Sequence, residues 1–304
     1  MRMNARSQRT STFLLLANCG LTGLGCALFG CDESVDPFVE SERYFSVYGT
    51  LDMNADTQWV RVVPIDTTIF VGGDDAVDAQ VSSTDASTGI RTEWTDSLFV
   101  FRDGSLGHVF FAPVRVQAGH SYRLEFSKSD GRTAFAETTM PGIPSASVGE
   151  IRRIILSNGG VEIILPITWM GIDKPPAEVQ TWYRFSSSGR SNFRDFRFEY
   201  PTADFDDEPG WKIVARLSTD RQTIIEQILP NDFFFLGMGM RVVVLDEKFV
   251  PPGGVFDPDV LSRPGSFSNV ENGFGFIGSI GRFDVRWVVD PQTARDLGYV
   301  LPKQ

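Results

Sequence analysis

Cysteine is nearly missing from this chain. It has three, Cys19, Cys26 and Cys31, all close to the N-terminus. No thiol follows Cys31, so the body of the protein has no disulfide framework, no cysteine nucleophile and no cysteine-ligated zinc. Histidine is as scarce. His108 and His120 are the only two, too few for a three-histidine zinc site, and neither lies in an H-E-x-x-H pattern. There is no G-x-S-x-G nucleophile elbow and no fixed-period repeat. Positive charge is also in deficit: 28 basic residues stand against 39 acidic ones, a formal charge of −11. No lysine or arginine cluster offsets it, and such a surface repels nucleic-acid phosphates. A nucleic-acid partner is therefore discounted.

What is present favours a packed, β-rich protein. Hydrophobic residues make up 42% of 304 residues, enough for one large domain or two ordinary ones. The chain is rich in glycine (29), proline (17) and phenylalanine (25), residues of turns and of strands.

The N-terminus reads as an export signal. Arg2, Arg6 and Arg9 precede an apolar run, Phe13-Leu14-Leu15-Leu16-Ala17, which continues through Leu21, Leu24, Ala27, Leu28 and Phe29. A basic segment followed by an apolar one is the pattern of a secretory leader. It ends in Leu28-Phe29-Gly30-Cys31, which resembles the lipobox of bacterial lipoproteins. That resemblance implies a diacylglyceryl thioether on Cys31 and cleavage after Gly30. Phe29 is bulkier than the residue usual there, and Gly23-Leu24-Gly25-Cys26 is a weaker alternative. The competing reading is an uncleaved membrane anchor. Residues 13–30 are barely long enough to span, and Asn18, Thr22 and several glycines dilute them. Asp32-Glu33 follows with no basic stop signal. This acidic pair resembles either an inner-membrane retention signal or a surface-export signal, or serves as a plain polar tether. Without the three leader arginines, 25 basic residues remain (28 less 3) against 39 acidic, a charge of −14.

Residues 31–43 read as an acidic tether, and strand patterns then dominate. Tyr44–Thr50 and Thr57–Ile65 flank a turn at residues 51–56. Asp66–Asp75 reads as a polar loop. Val77–Thr84 and Ile90–Trp94 form a hairpin around Asp85–Gly89, and Leu98–Phe101 and His108–Ala112 are short strands. The clearest hairpin is Ser121–Thr139, where Tyr122, Leu124 and Phe126 alternate with Arg123, Glu125 and Ser127 before Asp130-Gly131 turns the chain. Short strands with frequent turns predict a β-sandwich over 44–142. In a second β-rich block, 143–304, strands are expected at Gly149–Leu156, Gly160–Met170, Thr181–Ser187, Phe193–Tyr200, Trp211–Leu217 and Gly239–Asp246. Thr223–Leu229 fits neither a strand nor a helix period cleanly. Asp290–Gly298 predicts a short helix with Asp290 as N-cap, Pro291 first and Gly298 as the stop.

Several segments together resemble the lipoprotein family of unknown function DUF4249, common in Bacteroidetes. They are the lipobox with Cys31, Phe45-Ser46-Val47-Tyr48-Gly49, and Gly119 to Phe126 leading to Asp130-Gly131. Pro141, Pro144 and the closing run Ser268 to Gly278 complete the set. The resemblance implies an N-terminal immunoglobulin- or transthyretin-like sandwich followed by a second β-rich region with minor helix. It brings no catalytic residues. It places the protein near TonB-dependent outer-membrane receptors by association alone.

Candidate chemistry is sparse. Gly273-Phe274-Gly275-Phe276-Ile277-Gly278 matches G-x-G-x-x-G, but a dinucleotide site needs a strand before it and a helix after it. Residues 264–269 do not read as that strand, so tight backbone packing with Phe274 and Phe276 buried is expected instead. Asp52, Asn54 and Asp56 mimic the start of a calcium loop, yet Thr57 and Val63 stand where glycine and glutamate are required; a turn is expected. Asp74-Asp75 with Asp78, and the acidic run Asp204 to Glu208, are loops able to hold calcium weakly. Phe233-Phe234-Phe235 and Trp94, Trp169, Trp182 and Trp211 suit either a sugar- or peptide-binding surface or, more commonly, the core. No catalytic, cofactor-binding or metal-ligating residue is assigned, and no cofactor. The single site residue is Cys31, as the point of lipidation. The leading expectation is a non-enzymatic, lipid-anchored binding or accessory protein of the cell envelope, at the outer membrane, beside a TonB-dependent receptor. The alternatives are an exported Asp/Glu-dependent hydrolase and a structural or adhesive surface protein.

Overall fold

A computed structural model describes residues 43–65, 76–100, 104, 106–187, 193–200, 210–227, 233–246 and 268–302. The protein is mainly β, as the strand patterns predict, and the strands of the described residues form three sheets. Cys31, the 66–75 loop and the 204–208 acidic run lie outside the described residues. Among those described, no helix is long and apolar enough to cross a membrane.

The first sandwich follows from period-two patterning. β1 (Phe45–Asp52), β2 (Gln58–Pro64), β5 (Thr95–Val100) and β6 (Leu106–Ala112) lie side by side in the order β1-β2-β6-β5. Opposite them, β3 (Gln80–Asp85), β4 (Arg91–Glu93), β7 (Ser121–Ser127) and β8 (Thr133–Thr139) form a second sheet, whose edge is completed by β16 (Val270–Glu271). Phe45, Val47, Val60, Val62 and Phe110 of one sheet share a core with Val81, Leu124, Phe126 and Ala136 of the other. The alternation read in β7 places Tyr122, Leu124 and Phe126 inside. Each such side chain contributes about 1.5–3 kcal/mol by leaving water. Gly131 takes a φ of 87° in the turn between β7 and β8, as only glycine does without strain.

The second sandwich packs β9 (Ser145–Val148), β10 (Arg152–Ile155), β11 (Val161–Met170) and β14 (Trp211–Arg216) against β12 (Glu178–Ser187), β13 (Phe193–Glu199) and β15 (Phe233–Leu245). Leu165, Ile167, Trp169 and Ile213 meet Tyr183, Phe185, Phe235 and Met240 in its core. Of the ambiguous stretch 223–229, residues 223–227 belong to helix α1 (Leu217–Gln227). Its first turn is held by Glu162 of β11, whose carboxylate accepts from Ser218 N at 3.0 Å and Thr219 Oγ1 at 2.9 Å; negative charge is stabilising at a helix N-terminus. Helix α2 (Pro291–Asp296) forms as its caps predict: Asp290 Oδ1 accepts from Gln292 N and Thr293 N, and Gly298 has a φ of 73°.

One strand serves both halves. β17 (Gly273–Trp287) pairs parallel to β1 from Gly273 to Ile280, then antiparallel to β15 from Ile280 to Trp287. This makes a single sheet of eight strands, β13-β12-β15-β17-β1-β2-β6-β5. β17 therefore joins strands from both sides of the expected division at 142/143. Val270 and Ile277 belong to the first core, because the chain returns to it after building most of the second.

Candidate functional site

The sequence candidates fall mostly into structural roles. Asp52 Oδ1 accepts from Asn54 N at 2.9 Å, and Asp52 Oδ2 lies 2.5 Å from Arg282 Nη1. Asn54 Oδ1 accepts from Arg282 N, and its amide donates back to Arg282 O. Arg115 Nε lies 2.5 Å from Asp56. The expected turn is present, and it fastens the β1–β2 connection to β17. Asp78 accepts from Ser129 N and Oγ, tying down the turn after β7. Among the described residues no group of three or more His, Cys, Asp or Glu side chains converges on one point.

The G-x-G-x-x-G segment is the parallel half of β17. Gly275 has a φ of 106°, and a Cβ there would stand 1.9 Å from Val47 O. The glycine therefore serves close strand approach. Phe276 is buried as expected, but Phe274 is only half-buried, beneath the Arg43 guanidinium.

Both histidines hold carboxylates. His108 Nδ1 lies 2.8 Å from Asp96 Oδ2, with Nε2 buried and without a partner. His120, just before β7, lies 2.9 Å from Asp85. Burial pushes the Asp85 carboxyl up, but the hydrogen bonds from His120 and Ser87 N outweigh it and leave the group below its ordinary range. No hydroxyl bonds to His120 among the described residues, and Ser83, on the same hollow, accepts from Trp94 Nε1 at 2.9 Å.

The aromatics divide. Trp94, Trp169 and Phe235 are core residues, and Trp211 is half-buried with its Nε1 donating to Ile172 O. Trp182 differs. It points outward from β12, between Gln180 and Arg184, while Thr181 and Tyr183 point in. Across the sheet the register aligns Arg197 on β13, Trp182 on β12, Gly239 on β15 and Arg286 on β17 in one row. A Cβ on Gly239 would fall 2.4 Å from both Trp182 Cζ2 and Val285 O, so the bare glycine makes room for the indole and for the close approach of β17. Arg286 Cζ stands 5.3 Å and Arg184 Cζ 5.9 Å from the indole ring, within cation–π range.

Two acids brace this face. Arg184 bonds Asp195 through Nε at 2.8 Å and Nη2 at 2.7 Å; Arg241 bonds Asp284 at 3.1 and 3.0 Å. The Arg184 hydrogen bonds hold the Asp195 carboxyl below its usual range, aided by the nearby charges of Arg197 and Arg286. A hollow of about 290 Å³ opens beside the indole, lined by Trp182, Arg184, Leu236, Gly237, Met238 and Arg286 among others. Leu236 is the extra residue of a bulge, since Arg184 pairs with Gly237 and Phe185 with Phe235. The bulge leaves Leu236 44% exposed at the rim. Sequence alternation marks these side chains as outward-facing, but only the cross-strand register shows that they converge.

A second hollow, of about 350 Å³, lies where the two sandwiches meet, lined by residues that include Met140, Pro141, Ile172, Lys174 and Asp246. Asp246 is buried and accepts from Thr138 Oγ1 at 2.6 Å and Thr139 N at 3.3 Å.

Fold and surface together define a class: a two-sandwich β protein with an aromatic–arginine face on its eight-stranded sheet. No family model and no curated protein matches the chain. Among solved structures it is similar to a chain of a cytokine receptor complex, at 8% identity over 65% of this chain and 89% of that one, with a TM-score of 0.22. It is also similar to a pullulanase from Anoxybacillus sp. LM18-11, at 9% identity over 65% of this chain and 24% of that one, TM-score 0.21. A two-domain fibronectin type-III segment of chicken tenascin shares 11% identity over 81% of this chain and 98% of that one, TM-score 0.19. These likenesses are distant, and no function is carried from them.

Proposed function

We propose that this protein is a lipid-anchored binding lipoprotein of the DUF4249 type, held at the outer membrane through Cys31 and acting as an accessory beside a TonB-dependent receptor. One observation carries the reading. An arginine-bearing apolar leader ends at Leu28-Phe29-Gly30-Cys31, the acidic tether starts at once, and no later cysteine exists. Two or more acyl chains at such a position hold a protein stably where one is marginal. The outward, half-buried Trp182 supports a binding role, since aromatic side chains and arginine are enriched at recognition surfaces.

Intact mass of the protein extracted from membranes tests the anchor. The expected N-terminal peptide begins at Cys31 and carries lipid, and Cys31→Ser leaves the membrane fraction. A peptide retaining residues 1–30, or an unmodified Cys31 thiol, sinks the proposal. Gentle solubilisation followed by affinity capture tests the partnership: a large β-barrel co-purifies if it holds, and a partner-free monomer counts against it.

A further inference from the structure

We propose that the outer face of β13, β12, β15 and β17 is a binding site for an acidic oligosaccharide, a short chain of sugars bearing carboxylate or sulfate groups. This inference rests on the binding role proposed above and names its ligand.

The argument starts from charge. The protein carries −11 overall, yet this face gathers Arg184, Arg197, Arg241 and Arg286 around one indole. Asp195 and Asp284 neutralise Arg184 and Arg241 through paired hydrogen bonds. Arg197 and Arg286 make no hydrogen bond or ion pair among the described residues, and both are exposed. Two positive charges are therefore left over, one on each side of Trp182. Arg197 and Arg286 stand three strand spacings apart, about 14 Å between Cα atoms. That span exceeds one hexose and suits successive anionic sugars along a chain.

The indole defines what lies between the anions. It packs against Gly239, which has no side chain to displace it, with the Arg184 and Arg286 guanidiniums 5.9 and 5.3 Å from its ring and Leu236 at one side. A flat aromatic with an apolar rim receives the C–H face of a pyranose ring. The two aspartates discriminate further. Each keeps acceptor capacity beyond its arginine, which sugar hydroxyls can fill by donating. The phosphates of a nucleic acid have no hydrogen to donate and would be repelled. Single-stranded nucleic acid also prefers successive stacking platforms, and this row has one indole. An extended anionic membrane surface would feel the net negative charge, whereas a short ligand feels mainly the groups within a Debye length of about 8–10 Å.

The test uses the full chain, extracted from membranes in mild non-ionic detergent and titrated by calorimetry. The probes are trigalacturonate, a chondroitin sulfate tetrasaccharide, neutral maltotetraose and a short oligothymidylate. At least one acidic saccharide should bind ten-fold or more tighter than maltotetraose, with affinity falling as salt is added. Trp182→Ala and the double variant Arg197→Gln/Arg286→Gln should each weaken binding ten-fold or more with the melting temperature unchanged. Arg152→Ala, exposed on β10, should bind as the parent does. Equal binding of the neutral saccharide, preference for the oligonucleotide, no binding of any probe, or full binding by Trp182→Ala would each overturn the proposal. The Cys31 lipid mass is read separately, so a failed anchor and a failed ligand remain distinguishable.

Discussion

Asp220 shows how one residue can organise a core and hide from sequence reading. Its Oδ2 accepts from Thr181 Oγ1 at 3.0 Å, Tyr183 OH at 2.6 Å and Tyr200 OH at 2.9 Å, all inside the second sandwich. The side chain is 5% exposed. Burial pushes its carboxyl above the ordinary range, and the three hydroxyls only partly oppose this. The native pKa is thus higher than the unfolded one. Below the ordinary carboxyl range of about 4 both states hold the proton; above it the unfolded chain releases the proton first, so this group's contribution falls as pH rises toward the native value. Asp220→Asn keeps an acceptor without the charge and should remove that part of the pH dependence, as urea unfolding between pH 4 and 7 would show. Asp220→Ala strands three buried donors and should cost about 2–4 kcal/mol. If the two variants prove equally stable, the network does not hold the core together. In sequence, Asp220 sits three residues after Leu217 and four before Ile224. It occupies a place in the buried stripe where an apolar residue would have revealed the helix period.

At the level of elements, legibility follows the range of the contacts that fix each one. Helix α2 is capped by its own Asp290 and stopped by its own Gly298, and both signals stand in the local sequence. Helix α1 is capped by Glu162, a side chain on another strand, and its start is invisible locally. The hairpins β3–β4 and β7–β8 pair with their sequence neighbours, and β7–β8 shows clean alternation. β17 pairs with β1, far back in the chain, and from Gly275 to Ser279 it is buried continuously, which erases the period of two. The Trp182 face shares this problem, since its row draws on four strands. β17 also yields a sharp comparison of two glycines. At Gly275 a Cβ would meet the Val47 backbone and strain a positive φ; at Gly281 it would meet the movable Phe283 ring. Gly275→Ala should therefore destabilise by about 3 kcal/mol or more, from backbone strain plus a broken pairing. Gly281→Ala should cost clearly less. Urea midpoints of the two variants check the order, and a reversed order would contradict the parallel β1–β17 register.

For the whole molecule, the shared strand decides how the two sandwiches unfold. Their cores are distinct sets of side chains, which alone would allow two independent transitions. Three connections oppose that. β17 runs unbroken from one core to the other through Ile280. Asp246, at the end of β15, accepts from Thr138 and Thr139 of β8. Ser279 of β17 donates to Thr139 O at 2.7 Å. The first sandwich cannot be completed without residues 268–280, which supply β1 with its parallel neighbour and the first core with Val270 and Ile277. Division at 142 would strip β1 of its parallel partner β17, leaving it paired only with β2, and expose Ile277's site, a loss of several kcal/mol against a typical stability of about 5–15 kcal/mol. A fragment of residues 42–142 should therefore remain unfolded by near-ultraviolet circular dichroism. The same fragment extended through a flexible linker into residues 268–281 should regain tertiary signal. The full chain should unfold in one urea transition, with tryptophan fluorescence and far-ultraviolet dichroism coincident, because loss of β17 from either core removes it from both. Two resolved transitions, or a folded 42–142 fragment, would show that the strand joins the sandwiches without coupling them.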